Sequence, residues 1–207
     1  VIVIGARVIG CPSAWALTRA GHRVTLVDRN PAVCGGASAR NGAQLSYAYG
    51  DALASPGLLR HLPAILMRRD PTYRVWLSSD PEFLIWGLRF LGNATPGRFR
   101  RNTTALLGLA ARTRALLLEV VAAYGLRFDY TTSGKMILCP DPAALAKARD
   151  GQALKTALGI RQELLSREEA TRLEPALAHY RDTIAGVVWS PDDAAGRPTA
   201  FCRGLVE

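Results

Sequence analysis

Residues Gly5 to Gly10 have the spacing of a backbone turn that binds the diphosphate of a dinucleotide. Gly5 and Gly10 occupy the first and third glycine positions of the pattern G-x-G-x-x-G, and Asp28 ends the next apolar run. Gly5 permits a tight turn, the following helix start offers free N–H groups to an anion, and Gly10 lets helix and strand pack closely. Asp28 has the position of an acid that accepts hydrogen bonds from a ribose hydroxyl; alternatively, it only caps a loop.

The second glycine position of this pattern is occupied by Arg7. Its β-carbon intrudes where backbone and diphosphate should touch, although its guanidinium attracts phosphate. We expect the steric overlap to outweigh the attraction, because the guanidinium can bind the diphosphate only after the backbone has moved aside. A left-handed φ at Arg7 would add strain of about 1 to 2 kcal/mol. We therefore expect Arg7 to weaken dinucleotide binding by roughly tenfold or more, or about 1.4 kcal/mol.

The elements that must position this turn are predicted on either side of it. Val1 to Ile4 indicate a buried parallel strand, residues 10–20 a helix with a narrow small-residue face, and residues 23–27 a second strand. Pro12 is tolerated because it lies in the first turn of the helix. Residues 29–57 form a long Gly-, Ala- and Ser-rich connection of the kind that serves a ligand. The sequence thus begins with a β-α-β unit, which NAD and FAD both use.

The remaining chain reads as mixed helix and strand. Helix 100–124 is expected to bury a stripe that includes Leu106, Leu109 and Leu116. Ser133-Gly134 predicts a hairpin turn between two adjacent strands, and Ser166 with Glu169 predicts a capping box. The predicted helices are 58–69, 81–92, 100–124, one from Pro142, one between Ser166 and Pro175 and one from Pro198; the predicted strands are 127–132, 135–139 and 184–189.

Composition narrows the classes of function. The net charge of +9 comes from scattered arginines without a groove-reading motif, which argues against nucleic-acid binding. Four separated cysteines without a CxxC pair indicate reduced thiols, not zinc ligands or disulfides. No segment has the length of a membrane-spanning helix. The apolar and basic stretch from Leu58 to Arg69 allows peripheral membrane contact, although a helix packed on its own protein is the simpler interpretation.

Three further stretches carry a resemblance to a known family. These stretches occur along the chain in the same order as in the family. They are Asp28-Arg29 followed by S-A-R-N-G-A-Q-L-S at 38–46, L-S-R-E-E-A-T-R-L-E-P-A-L at 165–177, and G-V-V-W-S-P-D-D at 186–193. The chain resembles the FAD-dependent D-amino acid oxidase superfamily, and within it the bacterial D-amino acid dehydrogenases. The loop at 38–46 departs from that group at Ala39, Arg40, Gly42 and Ala43.

This resemblance implies an α/β fold with a Rossmann-like FAD-binding β-α-β unit and part of a mixed α+β substrate or cap domain. The implied divisions are an FAD-binding segment at 1–57, a partial substrate domain at 58–190 and a return segment at 191–207. The implied reaction is oxidative deamination of a D-amino acid to a 2-oxo acid and ammonia, with electrons passing through FAD to a quinone-type acceptor. The implied location is cytoplasmic, with peripheral contact to the inner face of the cell membrane.

The resemblance also implies a set of cofactor-binding residues, while no catalytic residue and no metal ligand is assigned. Ordinary turn bonding is the alternative for Ser38 and Asn41. Tyr47 and Tyr49 are expected to pack on the domain surface, and Asp192 and Asp193 to be solvated in a turn. The implied FAD-binding residues are Gly5, Ala6, Val8, Ile9, Gly10, Asp28, Arg29, Ser38, Asn41, Ala43, Gln44 and Leu45.

Members of this group are roughly twice as long as the chain, as the resemblance suggests. A two-stranded parallel start would then lack neighbours to cover its faces and edges. We therefore expect an inactive truncated form, or a partner chain that supplies the other half. Two alternatives to a flavoenzyme stay open on the sequence alone: a non-catalytic module that binds another protein, and an NAD-binding protein.

Overall fold

The computed structural model describes residues 1–70 and 73–207, which form two compact units. The first unit combines residues 1–48 with residues 111–207. The second contains residues 49–110. The predicted division at 57 and 190 into an FAD-binding part and a substrate part stays a prediction, since it concerns function and not contact density.

The chain begins with the β-α-β unit predicted from its sequence. Strand β1 (Ile2–Ile4) pairs in parallel with β2 (Thr25–Val27), and helix α1 (Gly10–Arg19) connects them. Gly5 has a φ of 107°, a left-handed conformation that favours glycine. Gly10 lies so close to the turn that a β-carbon on it would overlap the carbonyl oxygen of Gly5. The structural roles predicted for both glycines are therefore confirmed.

Within residues 1–70 and 73–207, β1 and β2 pair with no further strand. Ile2 and Ile4 of β1 are 70% and 86% exposed, and Val27 of β2 is 46% exposed. Parallel strands are normally covered on both faces by other elements. The expected lack of neighbours is confirmed for the side with Ile2 and Ile4, so the predicted burial of β1 is wrong, whereas α1 packs against both strands.

A second sheet has three antiparallel strands in the order β4 (Lys135–Cys139), β6 (Gly186–Ser190) and β5 (Glu163–Leu165). Central strand β6 contains Val187, which is fully buried against Ala170 and Ile184. Burial of one such side chain contributes about 1.5 to 3 kcal/mol. Helix α5 (Pro142–Ala157) contacts β4 and β6, and helix α6 (Arg167–Leu173) contacts β5 and β6.

The capping box predicted at Ser166 and Glu169 is confirmed. The Ser166 side chain accepts a hydrogen bond from the Glu169 N–H, and the Glu169 carboxylate accepts one from the Ser166 N–H. A 3₁₀ segment, Pro175–Thr183, follows this helix.

The predicted hairpin of residues 127–132 with 135–139 is wrong. Strand β4 pairs with β6, and the segment before the turn forms only an isolated bridge from Thr131 to Ala195. Asp129 has a φ of 55°, which interrupts an extended strand at that point. Phe128 is buried against Phe201 instead of alternating along a strand edge. The turn predicted at Ser133-Gly134 is wrong as well, since no turn forms there and the Gly134 N–H donates to the Asp193 carbonyl.

The remaining elements of the first unit join its amino-terminal loop to its carboxyl-terminal segment. Strand β3 (Gln44–Leu45) pairs antiparallel with β7 (Ala194–Ala195). Helix α7 (Pro198–Val206) packs on α1 and on the 3₁₀ turn Ala37–Arg40.

Three of the four cysteines come together in a core beneath the glycine turn. Cys11, Cys34 and Cys202 are at most 1% exposed and pack with Ala6. All four cysteines are free thiols. Burial raises the pKa of Cys11 and of Cys202, so both stay protonated and behave as small apolar side chains.

The second unit contains helices α2 (Pro56–Leu66) and α3 (Pro81–Gly92) and the first part of α4 (Pro96–Tyr124), which continues into the first unit. The α2 helix begins two residues before the predicted position, and α3 has the predicted bounds. The Thr103 hydroxyl on α4 accepts a hydrogen bond from the Ala52 N–H at 3.1 Å.

The buried stripe predicted along α4 is wrong. Its buried residues are Thr103 and Leu107, whereas Leu106, Leu109 and Leu116 are 44%, 62% and 49% exposed. Apolar side chains lie on several sides of this helix, so their spacing does not determine which side faces the core. In the described parts of the chain, no helix has both the length and the apolar composition needed to cross a bilayer.

Replacing Gly10 with alanine is expected to lower the free energy of unfolding by about 1 to 3 kcal/mol, because the new methyl group overlaps the Gly5 carbonyl. The matched control is Gly151→Ala in α5, where a β-carbon meets open space. That change should raise the free energy of unfolding by about 1 kcal/mol, because alanine is the better helix former. Urea unfolding measures both. Equal effects of the two substitutions would contradict the close packing of α1 on the turn.

Candidate functional site

The turn between β1 and α1 is tied to the end of β2. The Gly5 N–H donates to the Val27 carbonyl at 2.6 Å, and the Ala6 N–H donates to Asp28 Oδ2 at 2.8 Å. The Ala6 carbonyl in turn accepts from the Cys34 N–H at 2.8 Å. The predicted residues of the turn and the predicted acid are thus brought together.

Asp28 also organises the loop that follows it. Its Oδ1 accepts hydrogen bonds from the backbone N–H of Asn30 at 2.8 Å and from the Asn30 side chain at 2.7 Å. Hydrogen bonds from the Asn30 and Ala6 N–H groups lower the pKa of Asp28, so the carboxylate is ionised at neutral pH. Asp28 therefore caps a loop in this structure and keeps acceptor lone pairs for a further donor.

Three consecutive amides at the mouth of α1 are available to a ligand. Among the hydrogen bonds described for residues 1–70 and 73–207, none uses the backbone N–H of Arg7, Val8 or Ile9. They lie where the positive end of the α1 dipole adds to their attraction for an anion. This group of donors suits the oxygens of a diphosphate.

The side chain of Arg7 reaches Gly36. A β-carbon on Gly36 would overlap the guanidinium group of Arg7, so that group lies against the backbone of residue 36. The backbone of Arg7 has no left-handed φ, and the strain considered for that case does not arise. The arginine is therefore accommodated by Gly36 in the absence of a dinucleotide.

The second group of predicted residues lies in the loop before and within β3. The Asn41 Oδ1 accepts from the Ala43 N–H at 2.8 Å, which is the turn bonding weighed as the alternative for Asn41. Ala43 has a φ of 56° and directs the chain into Gln44 and Leu45. No hydrogen bond described for residues 1–70 and 73–207 joins residues 41–45 to the glycine turn.

The two other predicted cofactor residues differ in exposure. Ser38 is buried, at 6% exposure, in the 3₁₀ turn that contacts α7. Arg29 is exposed beside Asp28. Of these two residues, Arg29 is therefore the one that a ligand can contact directly from solvent.

Asp193 is the buried acid that the sequence did not reveal. It was expected to be solvated, yet it is 2% exposed. Its Oδ1 accepts from the N–H groups of Tyr47 and Ala48 at 2.8 and 3.0 Å, while its Oδ2 is buried without a hydrogen-bond partner. Burial raises the pKa of Asp193. Two adjacent aspartates in a turn give no signal that one of them is buried.

The neighbouring Asp192 is half-buried and pairs with Arg114 at 3.4 Å and with Arg161 at 3.7 Å. The predicted packing of Tyr47 is confirmed, since it is 8% exposed and burial raises its pKa to about 12. Tyr49 is 58% exposed, so its predicted packing is wrong. Tyr49 belongs to the second unit, whereas Tyr47 is held in the first by Asp193.

A cleft of about 330 Å³ lies beside β3 and β7. The Lys135 ammonium at its wall donates to the Ser46 hydroxyl at 3.1 Å. The cleft thus combines a cation with residues of the loop that resembles a flavin-binding segment. It is lined by Gly42, Gln44, Ser46, Ser133, Gly134, Lys135, Met136, Asp193, Ala194 and Ala195.

The model of one protein family, FAD dependent oxidoreductase, matches residues 1–207. The chain belongs to this family. Of the described residues, no group of three or more His, Cys, Asp or Glu is arranged to hold a metal ion.

Curated relatives of this FAD-dependent oxidoreductase are named D-amino acid dehydrogenases. D-amino acid dehydrogenase 2 of Ralstonia nicotianae is 41% identical over 99% of the chain and 48% of its own length. The D-amino acid dehydrogenase of Dechloromonas aromatica is 34% identical over 100% of the chain and 50% of its own length. The chain therefore spans about half the length of these relatives.

Solved structures show the same fold at low sequence identity. L-proline dehydrogenase from P. horikoshii matches 99% of the chain and 39% of its own length, with a TM-score of 0.67 and 16% identity. L-alpha-glycerophosphate oxidase from Mycoplasma pneumoniae, with FAD bound, matches 99% of the chain and 40% of its own length, with a TM-score of 0.61 and 18% identity. The predicted α/β fold of a flavoprotein is thus confirmed.

The residues present fit the diphosphate end of FAD, the cofactor of this family. Gly5 and Gly10 shape the turn, and the amides of Arg7, Val8 and Ile9 supply donors without a protein acceptor. The carboxylate of Asp28 lies at the same end of the unit. Arg7 is the one position of the glycine pattern whose side chain must be accommodated elsewhere.

Replacing Asp193 with alanine is expected to lower the free energy of unfolding by about 2 to 5 kcal/mol, because two buried N–H groups lose their acceptor. Asp193→Asn keeps an acceptor oxygen and should lose about 1 kcal/mol. Urea unfolding measures the free energy of unfolding of both variants and so separates the contribution of the two hydrogen bonds from that of the carboxylate charge.

The same two proteins test the raised pKa of Asp193. The folded chain binds this proton at a higher pH than the unfolded chain, so stability rises as pH falls through the raised pKa towards 3.8. The difference in free energy of unfolding between parent and Asp193→Asn should shift in favour of the parent over that interval. A difference independent of pH would show that the pKa of Asp193 is not raised in the folded chain.

Proposed function

We propose that this chain carries the FAD-diphosphate site of an enzyme that oxidises D-amino acids to 2-oxo acids and ammonia. The observation that carries the proposal is the glycine turn, where the N–H groups of residues 7–9 have no protein acceptor among the described residues and Asp28 binds the adjacent Ala6 N–H. The names of relatives that are 41% and 34% identical over almost the whole chain support the D-amino acid substrate. A quinone-type compound is the proposed electron acceptor.

In this proposal each group of residues has a separate task. The amides of residues 7–9 hold the diphosphate, Asp28 and Arg29 hold the adenosine, and residues 38–45 hold the flavin and its linker. FAD, when bound, supplies the acceptor for the hydride of the substrate α-carbon. The protein supplies binding and orientation, which explains why no acid–base triad is needed in the sequence.

Asp193 fixes the backbone that directly follows residues 38–45, the proposed flavin-binding loop. Its carboxylate fixes the backbone at Tyr47 and Ala48, directly after Gln44 and Leu45. The ammonium of Lys135 reaches Ser46 in the same segment. These contacts keep the loop in one conformation, and they place a positive charge at the cleft where an amino acid carboxylate can bind.

The reaction is tested with purified chain, FAD and an artificial quinone acceptor. D- and L-enantiomers of the same amino acids are supplied, and the 2-oxo acid is trapped as a hydrazone. We expect product from the D-enantiomers only. FAD binding with no product from either enantiomer is the result expected of an inactive truncated form, whereas FAD binding with product from the L-enantiomers would reject the substrate assignment and leave the cofactor assignment intact.

Arg7→Gly is expected to bind FAD roughly tenfold more tightly than the parent, or about 1.4 kcal/mol, because no β-carbon then intrudes at the diphosphate. Titration of the apoprotein with FAD, followed by quenching of flavin fluorescence, measures both dissociation constants. Arg23→Gly is the control, because Arg23 is exposed before β2, at the end of that strand remote from Asp28. Equal affinities of parent and Arg7→Gly would show that the arginine moves aside without cost.

A second candidate function rests on the exposed sheet of β1 and β2. Ile2 and Ile4 are 70% and 86% exposed, as in a surface that binds further polypeptide. In this case the sheet is covered by a partner chain, or by polypeptide that corresponds to the half of the relatives that the chain does not span. Purified chain that binds neither FAD nor NAD but co-purifies with one protein in fixed ratio would favour this candidate.

A further inference from the structure

A cleft of about 500 Å³ lies in the first unit, between residues 124–127 at the end of α4 and one side of α7. Its walls contain three arginines, Arg127, Arg197 and Arg203, and one acidic residue, Glu207. A cleft lined mainly by one sign of charge concentrates ligands of the opposite sign. The excess of arginine therefore favours an anion as the ligand of this cleft.

The three arginines come to the cleft from separate parts of the chain. Arg127 follows α4, Arg197 directly precedes α7, and Arg203 lies on α7. All three are exposed, so a ligand can contact them from solvent. The fold, and not a run of basic residues in the sequence, thus brings the three guanidinium groups together.

Arg197 is held in position by an ion pair with Asp129. Its Nη2 lies 2.6 Å from Asp129 Oδ2, and its backbone N–H donates to the Phe128 carbonyl at 2.6 Å. A guanidinium group has five N–H donors, of which one ion pair uses only a part. Arg197 is therefore fixed at the cleft and keeps donors for a second anion.

Arg127 and Arg203 have no such partner in the part of the chain that the structure describes. No ion pair or hydrogen bond of residues 1–70 and 73–207 involves either guanidinium, although Glu207 lines the same cleft. Like charges on one cleft repel each other, and a bound anion converts this repulsion into attraction. Guanidinium groups bind phosphate through two parallel hydrogen bonds, which a lysine cannot form.

We propose that this cleft binds a small anion with two or more linked phosphate groups. Arg127 and Arg203 contact the phosphates through their guanidinium groups, and Arg197 contributes the donors that Asp129 does not use. Phosphate is favoured over carboxylate because it offers more acceptor oxygens and more charge to the three arginines.

This anion site is separate from the proposed FAD site. None of its lining residues belongs to the glycine turn, to Asp28 and Arg29 or to residues 38–45. The inference therefore stands independently of the proposed reaction and of the proposed cofactor site.

Isothermal titration calorimetry of the full chain with tripolyphosphate tests the proposal. Arg127→Gln and Arg203→Gln should each weaken binding by about tenfold, because each removes one charged donor group from the cleft. Both side chains are exposed, so the substitutions leave folding intact, as circular dichroism would show. The matched control is Arg112→Gln, at an exposed arginine of α4 that does not line the cleft, and it should bind as the parent does.

Two further measurements identify the site and the class of ligand. Arg127→Gln and Arg203→Gln should leave the affinity for FAD unchanged, which separates this cleft from the glycine turn. Citrate, an anion with carboxylates only, should bind roughly tenfold more weakly than tripolyphosphate.

Three outcomes would overturn the proposal. The first is absence of tripolyphosphate binding to the parent. The second is equal affinity of Arg127→Gln, Arg203→Gln and Arg112→Gln, which would place the anion elsewhere on the chain. The third is tighter binding of citrate than of tripolyphosphate, which would assign the cleft to carboxylate ligands. A chain that binds tripolyphosphate in the cleft but binds no FAD would reject the proposed function alone.

Discussion

The close approach of helix α1 to the end of strand β1 is the constraint on which the rest of the first unit depends. The α-carbon of Gly10 faces the Gly5 carbonyl at a separation that no β-carbon could fit. Only this approach brings the amides at the helix mouth to the edge of the sheet, where Asp28 closes the turn through the Ala6 N–H. The absence of a side chain at Gly10 therefore determines where the amides at the start of α1 can bind an anion.

Local patterns revealed those features that depend on neighbours in sequence. The β-α-β unit follows from apolar runs and glycine spacing, and the capping box at Ser166 follows from two residues three positions apart. The bounds of α3 follow from Asp80 and Pro81 at its start. In each case the decisive contacts lie within one turn or one crossover, so the sequence determines them directly.

Features that depend on distant partners were not accessible in the same way. Strand β4 follows the dipeptide Ser133-Gly134, which is typical of hairpin turns, yet it pairs with β6, because β6 offers a full antiparallel register from Lys135 to Cys139. Asp193 is buried because it binds two amides that precede it by more than 140 residues, a relation that no local spacing records. The burial of α4 also depends on distant partners. Apolar side chains lie on several of its sides, so the spacing of its leucines does not determine which side is buried.

The contact between Arg7 and Gly36 couples the amino acids at two positions. A β-carbon at position 36 would overlap the guanidinium, so any residue larger than glycine there requires the end of this flexible side chain to shift. A substitution at position 36 thus changes where the Arg7 side chain lies without changing Arg7 itself. Glycine at position 7 removes this requirement from position 36.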